Sequence, residues 1–381
     1  MRRKICVTVA SRANYGRIKS VLSAIKVHPD LELQVIVGAS ALLYRFGSVI
    51  DIIRNDGFDV HGSAYQIIEG ENPTTMAKST GLAIMELAGL LERLQPDIVL
   101  TVADRFETMG TAIASSYMNI HLAHTQGGEV TGSIDESVRH AITKLSHIHF
   151  PATVRSREYI MKMGEDPEHV HMVGCPSMDI IADVDLSLDG VFEKYGGVGG
   201  AINPDDPYIV VLQHPVTTEY GSGLKQINQT LEAVRRVGLQ TIWFWPNVDA
   251  GSDDISKGLR MFREQHPDVP IHFYRNMEPV DYGRLINNCV VLVGNSSSAI
   301  REGSFLGVPA VNIGTRQQGR ERSDNVIDVD YHADEVEGAM KKQIEHGHYA
   351  RSGLYGDGRA SHRVADILAK ELPSIQKSLH W

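Results

Sequence analysis

The sequence has little cysteine and no long apolar run, and each absence excludes a class of protein. Its three cysteines, Cys6, Cys175 and Cys289, lie far apart among 381 residues and form no CxxC pair. Neither a disulfide framework nor a zinc knuckle is therefore indicated. No apolar run is long enough to cross a membrane, and the short one after the basic N-terminus does not make a secretory signal. We therefore expect a cytoplasmic protein without membrane association.

An excess of basic residues is also missing. Lys and Arg number 37 against 47 Asp and Glu, so the formal net charge is −10. This charge argues against nonspecific binding to nucleic acid, although it is compatible with a local basic pocket for an anionic small molecule. Hydrophobic residues make up 42% and charged residues 22%, close to the globular average, so disorder and coiled coil fit poorly.

Short β-rich runs alternate with helical patterns along the whole chain. Runs of about five apolar residues separated by helices are typical of a parallel sheet covered on both faces. The predicted strands are 5–9, 33–37, 97–102, 208–212, 241–245, 271–274, 289–293 and 310–313. The predicted helices are 43–53, 75–93, 223–237, 255–265 and 359–378, and residues 18–25 are the apolar side of another helix that follows the first strand.

The alternation occurs in two halves, and the length suits two domains. A glycine- and proline-rich stretch, 195–207, is predicted to be loop, and a hinge is predicted near 173–176. We predict an α/β protein with two doubly wound Rossmann-like domains, 1–174 and 175–358, facing each other across a cleft. A C-terminal helix in 359–381 would pack back across them. Ligands bind beyond the carboxyl ends of the strands in such sheets, so the cleft should hold the chemistry.

The first polar motif is SRANYGR, residues 11–17, directly after the first predicted strand. Backbone amides at a strand-to-helix turn bind anions, and Arg12 and Arg17 add positive charge. A helix start capped by Ser11 or Asn14, with two solvated arginines, fits this motif equally well.

The second motif is ADRFE, residues 103–107, just past the strand predicted at 97–102. Because strand ends point into the cleft, Asp104 is a candidate acid or base. Considered alone, an aspartate that caps the next helix is the more common structure.

The most informative segment is HTQGGEVTGSIDESVRH, residues 124–140. Its glycines let a loop approach a ligand closely, and Glu129, Asp135 and Glu136 bring several carboxylates near a strand end. Such crowding separates their pKa values, which suits acid–base chemistry. Asp135 and Arg139 are four residues apart, so a helical ion pair is the competing interpretation for these two.

In the second half, polar residues again follow predicted strands. His214 could hydrogen-bond a phosphate or sugar hydroxyl, or close a turn before Pro215. Asn247, Asp249 and Ser252 are of the kind that bind sugar hydroxyls, although they also favour turns.

A third group of polar residues surrounds the last predicted strands. GNSSS, residues 294–298, leaves amides and hydroxyls free for a diphosphate at a helix N-terminus, but it lacks the lysine of a Walker motif. Glu302 could accept hydrogen bonds from ribose hydroxyls. GTRQQGRER, residues 314–322, is a basic loop suited to covering the anion when the cleft closes.

Together these segments resemble the UDP-N-acetylglucosamine 2-epimerase family, in particular its hydrolysing branch from sialic acid biosynthesis. The resemblance covers nearly the whole chain, and GGEVTGSIDESVRHAITKLSHIH is its most specific part. It implies a GT-B-type fold, a UDP-sugar substrate, UDP as product, no metal or redox cofactor, and a homodimer or homotetramer. The implied reaction removes the proton at carbon 2 while UDP departs. Water then adds to the 2-acetamidoglucal with inversion at carbon 2, which gives N-acetylmannosamine.

The resemblance also implies roles for single residues. Asp104 and Asp135 would share proton removal and delivery, with Glu129 nearby. Gln126 stands where many members have a third acid, so either Glu129 takes that role or this subgroup divides the steps differently. The candidate substrate-binding residues are Arg12, Arg17, Arg105, Arg139, His214, Asn247, Asn295, Ser296, Ser297, Glu302 and Arg316.

Two further departures leave the sugar open. Ala103 stands where a glycine usually precedes the aspartate, and RANYGR replaces the common RADYGK. UDP-N,N'-diacetylbacillosamine, on the route to legionaminic acid, would need only a small change of the pocket. A nonhydrolysing epimerase, a GT-B glycosyltransferase of the same fold and a noncatalytic sugar-nucleotide sensor are also compatible with the sequence.

Overall fold

The computed structural model describes residues 2–70, 72–246 and 249–380, which form two β-sheets flanked by helices. The first sheet has the strands β1 Arg3–Val9, β2 Leu31–Gly38, β3 Gly62–Ala64, β4 Ile98–Val102, β5 His121–Thr125 and β6 Ile148–Phe150. Its helices are α1 Arg12–Val27, α2 Val49–Asn55, α3 Pro73–Leu94, α4 Phe106–Tyr117, α5 Ile134–Leu145 and α6 Val154–Lys162. The strand order is β3-β2-β1-β4-β5-β6 and every pairing is parallel, as in a doubly wound dinucleotide-binding sheet.

The second sheet has the strands β7 Val198–Gly199, β8 Tyr208–Leu212, β9 Gln240–Phe244, β10 Ile271–Tyr274, β11 Val291–Gly294, β12 Ala310–Ile313 and β13 Val326–Val329. The remaining helices are α7 Ser177–Ile181, α8 Val191–Lys194, α9 Gly223–Val237, α10 Ser252–Gln265, α11 Pro279–Asn287, α12 Ser297–Ile300, α13 Glu302–Leu306, α14 Ala333–His346 and α15 Ala360–Lys370. The order is β13-β12-β11-β8-β9-β10-β7, and among these strands β7 alone pairs antiparallel.

Alternate residues of each central strand pack into separate cores, which explains the continuous apolar runs. Ile5, Val7 and Val9 face one core, whereas Cys6 faces another on the opposite side of the sheet. The second sheet divides in the same way. Both sheets are therefore covered on both faces, and the predicted α/β fold class is confirmed. No helix in the described ranges is long and apolar enough to cross a membrane.

Three predicted elements differ from the structure. The helix expected over 43–53 begins only at Val49, because Gly47 adopts a φ of 91° and ends a preceding 3-10 turn. The stretch 195–207 contains β7, which pairs with the edge strand β10. Helix α15 ends at Lys370 instead of 378, because Pro373 follows and cannot continue a helix.

The C-terminal helix α15 packs on the first sheet's side. Ala360, Val364 and Leu368 belong to the same core as the inner residues of β1 and α1. Arg3 also donates to the carbonyl oxygen of Leu368 at 2.5 Å. The end of the chain is thus fixed to the first half. The division at 174 and 175 remains a prediction.

Candidate active site

The carboxyl ends of the two sheets meet at one cavity, and both halves supply its walls. The predicted residues that line it are Arg12, Arg17, Asp104, Arg105, His214, Ser296, Ser297, Glu302 and Arg316. Side chains also bond directly from one half to the other. Arg17 donates to Ser297 Oγ at 2.6 Å, and Arg105 donates to Asp249 Oδ2 at 3.1 Å. The cleft is therefore closed.

The first turn of α1 carries two arginines into this cavity. Ser11 caps the helix, since its Oγ accepts from the backbone N–H of Asn14 at 3.2 Å. The cap expected at this position is therefore present, but the arginines are only partly exposed and bond the other half. Arg17 bonds Ser297, and Arg12 donates to the carbonyl oxygen of Arg275 in the other half.

A residue in the left-handed backbone conformation precedes Asp104 at the end of β4. Ala103 has a φ of 61°, which residues other than glycine rarely adopt. This conformation accounts for the glycine that is common at this position. Asp104 does not cap α4, because Arg105 is the N-cap residue and makes no side-chain cap bond. Its carboxylate instead accepts from Arg139 of α5, with 3.1 Å between Nε and Oδ2 and a second bond from Nη2.

Arg139 is a fixed cation behind the cavity wall. Its side chain is fully buried and also donates to the carbonyl oxygen of Glu129 at 2.6 Å. Burial by itself would raise the pKa of Asp104, but the charges of Arg139, Arg17 and Arg320 outweigh burial and hold this pKa well below its usual range. Asp104 therefore stays ionised at neutral pH. In this conformation Arg139 holds Asp104 rather than a ligand.

Asp135 lies in the first turn of α5 and has the opposite character. Its Oδ2 is 4.0 Å from Nη2 of Arg316, whereas Arg139, four residues on, pairs with Asp104. Burial and the negative charge of Asp104 raise the pKa of Asp135 to about 6, although Arg316 opposes the rise. One carboxylate is therefore held ionised and the other shares a proton with solvent near neutral pH, which is the arrangement that acid–base chemistry needs.

Gln126 and Glu129 lie behind the cavity wall, in a buried charge cluster formed by Glu129, Arg301 and Arg320. Nη2 of Arg301 bonds Glu129 Oε2, and Nη1 of Arg320 is 2.8 Å from the same oxygen. Burial would raise the pKa of Glu129, but Arg301 and Arg320 lower it to about 2. Gln126 accepts from Arg301 at 2.6 Å and donates to Cys175 Sγ at 3.3 Å. A neutral amide fits there because it bonds a cation and a thiol at once.

We expect that Glu129→Gln lowers the free energy of unfolding by about 3–5 kcal/mol, because two buried guanidinium groups lose their carboxylate. Denaturant unfolding measures this loss. Glu321→Gln is the matched control, since its pair with Arg155 is partly exposed and should be worth at most about 1 kcal/mol. The pKa of Glu129 is below its ordinary 4.5, so the wild-type advantage should hold above pH 4.5 and disappear as pH falls towards 2. Equal losses in both variants would contradict the assignment.

Four arginines surround His214 at the end of β8. Burial, followed by the charges of Arg316, Arg12, Arg105 and Arg17, lowers the pKa of His214 well below its usual range, so the ring is neutral. This concentration of positive charge suits a diphosphate.

Asn295 fixes the backbone at His214. Its side chain accepts from the N–H of His214 and donates to the carbonyl oxygen of His214, each at 2.8 Å. Asn295 is fully buried, and its own carbonyl oxygen accepts from Arg316 at 3.1 Å. The predicted contact of Asn295 is thus with protein groups that line the cavity.

The serine segment and an apolar wall complete the cavity. Ser296 caps α12 through its Oγ, and Tyr282 bonds the Oγ of Ser298 at 2.8 Å. The apolar lining, which the sequence did not reveal, consists of Ile180, Ile181, Leu212, Phe244, Met277, Pro279 and Tyr282. Arginines and apolar side chains line the same cavity, which suits an anion that carries a flat ring. The predicted Asn247 lies outside the described residues.

Some of the charged residues that hold the site together were not predicted, or were predicted in another role. Asp249, which the sequence marks as a sugar-hydroxyl candidate, pairs with Arg105 at 2.8 Å, and Glu107 bonds the same guanidinium. Arg301 and Arg320 were also not assigned. The sequence signal that could have found them is position, since Arg301 precedes Glu302 and Arg320 lies in the basic loop.

Comparison with known proteins gives a consistent result. Residues 23–369 match the family described as UDP-N-acetylglucosamine 2-epimerase. The chain is 34% identical over 374 residues to the hydrolysing UDP-N,N'-diacetylbacillosamine 2-epimerase of Legionella pneumophila, covering 98% of this chain and 97% of the relative. It is 30% identical over 376 residues to the UDP-N-acetylglucosamine 2-epimerase of Neisseria meningitidis serogroup B, covering 97% of this chain and 95% of the relative.

Solved structures agree on the fold. The UDP-GlcNAc 2-epimerase of Neisseria meningitidis bound to UDP-GlcNAc has a TM-score of 0.77 at 17% identity, with 97% of this chain and 100% of that chain covered. The Methanocaldococcus jannaschii UDP-GlcNAc 2-epimerase in complex with UDP-GlcNAc and UDP has the same TM-score at 15% identity, with the same coverage.

Proposed function

The chain belongs to the UDP-N-acetylglucosamine 2-epimerase family, and we propose that it is a hydrolysing member that converts UDP-N-acetylglucosamine and water to N-acetylmannosamine and UDP. The observation that carries this proposal is the pair Asp104 and Asp135, whose pKa values are shifted in opposite directions. Asp104 lines the arginine-rich cavity, and Asp135 lies 4.0 Å from Arg316 of its wall. The activity would supply the sugar for sialic acid biosynthesis.

In the first step the diphosphate would bind among Arg12, Arg17 and Arg316, with Ser296 and Ser297 beside them. These cations stabilise the negative charge that grows on UDP as its bond to carbon 1 breaks. Asp104 is the ionised carboxylate, so we assign it as the base that takes the proton from carbon 2. The electron pair of that C–H bond forms the double bond of the 2-acetamidoglucal, and UDP leaves.

In the second step the glucal would be hydrated. Inversion at carbon 2 needs a proton delivered to the face opposite the one it left, so a second proton carrier is required. Asp135 has a pKa of about 6 and can hold that proton near neutral pH. It donates to carbon 2, water attacks carbon 1, and the proton that this water loses reprotonates Asp135. Asp104 releases the proton it took in the first step to UDP or to solvent, which restores both carboxyl groups. Glu129, Gln126 and Arg139 are assigned as positioning residues.

A second candidate substrate is UDP-N,N'-diacetylbacillosamine, which the 34% identity to the Legionella relative favours. The two can be separated by incubating the purified protein with each nucleotide and no acceptor, then resolving products by anion exchange and mass spectrometry. Free N-acetylmannosamine with UDP supports the proposal, and turnover of the bacillosamine nucleotide alone selects the second candidate. A product still bound to UDP would indicate a nonhydrolysing epimerase. No turnover of either nucleotide would favour a glycosyltransferase or a sensor.

Closure of the cleft depends on a glycine, which gives a further prediction. The N–H of Gly132 donates to the carbonyl oxygen of Arg316 at 3.2 Å, and a Cβ at Gly132 would overlap the carbonyl oxygen of Thr315 in the other half. Gly132→Ala should therefore hold the basic loop away and lower kcat/KM about 100-fold with little loss of stability. Steady-state kinetics test this, with Gly338→Ala as control because a Cβ there meets no atom within 4 Å. Full activity of Gly132→Ala would show that this contact is not needed for turnover.

A further inference from the structure

A group of metal-ligand side chains lies outside the cavity, where the C-terminal segment meets the first half of the chain. It consists of His169, His171 and Glu371, whose ligand atoms all lie within 4.8 Å of one another. Nδ1 of His169 is 3.1 Å from Oε2 of Glu371, and Nε2 of His171 is 2.7 Å from Oε1. Two imidazoles therefore converge on the two oxygens of one carboxylate.

The backbone on both sides of this group is held by independent contacts. The N–H of His171 donates to the carbonyl oxygen of His149 at 2.9 Å, which fixes it beside β6. Glu371 is the C-cap residue of α15, and its carbonyl oxygen accepts from Arg3 at 2.7 Å. The backbone at His171 and at Glu371 is thus held by contacts outside the group. Pre-organised ligands lower the cost of binding an ion.

Only one of the two contacts within the group is a hydrogen bond, that between Nδ1 of His169 and Oε2 of Glu371. Nε2 of His171 makes no hydrogen bond in the described chain, although it is buried and lies 2.7 Å from the carboxylate. Two imidazoles and one carboxylate are the donors that zinc and related cations take, with a remaining position for water. Tetrahedral geometry with metal–ligand bonds of about 2.0–2.2 Å places ligand atoms roughly 3.4 Å apart, so only small side-chain rotations are required. The side chains are about a quarter exposed (23–25%), so an ion can enter from solvent.

We propose that His169, His171 and Glu371 bind one divalent transition-metal cation of the zinc type, which fastens the C-terminal segment to the first half. The segment beyond Glu371 makes its own contacts with the first half. The carbonyl oxygen of Pro373 is 2.8 Å from Nε2 of His121, and Lys377 donates to Glu165 at 2.6 Å. A bound ion at the start of this segment would keep these contacts in place. The proposal is independent of the reaction, because none of its ligands lines the cavity.

The test uses full-length protein without a histidine tag, stripped with EDTA and dialysed against equimolar Zn²⁺. Metal analysis should find one zinc per chain, and zinc should raise the Tm by roughly 3 °C. The double variant His169→Gln/His171→Gln should lose both effects, and Glu371→Gln should weaken them. Circular dichroism checks the fold of each variant, and nucleotide-sugar turnover should be unchanged. His28→Gln is the matched control, because His28 also pairs with a carboxylate of α15, Asp366, without a third ligand among the residues that the structure describes.

A cobalt-loaded sample reports the coordination directly. Co²⁺ in the wild type should give the visible absorption of a four- or five-coordinate ion, and the double variant should give only the spectrum of hydrated Co²⁺. Absence of zinc from the wild type, or the same zinc content in the double variant, would overturn the proposal. Stability that responds to pH but not to zinc would also overturn it and would identify the group as an ion pair.

Discussion

Asp135→Asn is expected to stop the reaction after UDP has left, so that 2-acetamidoglucal accumulates and N-acetylmannosamine does not form. The amide cannot deliver the proton to carbon 2, whereas Asp104 and the arginines that drive elimination are unchanged. The rate of N-acetylmannosamine formation should fall about 10³-fold. Chromatography of the products with parallel measurement of UDP release tests this.

Glu136→Gln is the control, because Glu136 is the next carboxylate on the same turn of α5, where it accepts from the backbone N–H of Thr131 at 2.8 Å and lies 3.5 Å from Nε2 of His140. It should stay within about threefold of the wild type, as expected for a residue outside proton transfer. The wild-type kcat should fall as pH rises through and above about 6, because Asp135 then loses its proton. The bound diphosphate adds negative charge, which should raise the pKa of Asp135 and therefore the pH at which kcat falls. Equal loss of UDP release and sugar formation in Asp135→Asn would contradict its assignment as the acid.

Asp104→Asn is expected to block the earlier step, with UDP release about 10³-fold slower and no glucal detected. An amide cannot accept the proton from carbon 2, although its oxygen can still accept from Arg139. UDP binding, measured by calorimetry, should persist because the arginines of the cavity remain. Elimination by Asp104→Asn at the wild-type rate would move the base to another residue.

Asp281→Asn separates this loss from general damage to the fold. Asp281 is as buried as Asp104 and pairs with Lys194 and Arg284, but it does not line the cavity. Its replacement should lower stability while turnover stays within about threefold of the wild type. A similar loss of turnover in both variants would mean that disruption of any buried ion pair, rather than loss of a base, explains the effect.

The sequence predicted which residues reach the cavity better than it predicted how they pair. Strand ends can be located from short apolar runs, so Asp104, His214 and Ser297 could be placed at the cleft from the order of residues alone. The partner of Arg139 could not be predicted, because a spacing of four residues favours Asp135. The packing of α5 against the end of β4 instead brings Arg139 into contact with Asp104, 35 residues away in sequence. Pairing of this kind depends on tertiary packing, which no local pattern encodes.

Strand β5 and the buried charge cluster escaped prediction for related reasons. His121–Thr125 contains two histidines and so lacks an apolar run, yet His124 is fully buried and bonds the carbonyl oxygen of Ala103 at 2.6 Å. Burial lowers the pKa of His124 to about 3, so its ring is neutral and compatible with a core. Arg301 and Arg320 resemble surface residues in sequence, and only the closed cleft buries them against Glu129.

Proton NMR in heavy water tests most directly whether UDP is eliminated first and the glucal is then hydrated with a proton from a second group. The protein would be incubated with UDP-N-acetylglucosamine, and in parallel with UDP-N,N'-diacetylbacillosamine, without acceptor. Asp135 is partly exposed and exchanges with solvent, so we predict free 2-epimerised sugar with deuterium at carbon 2 in essentially every molecule, together with one UDP. Released sugar that keeps hydrogen at carbon 2, or that keeps the original configuration there, would contradict the account.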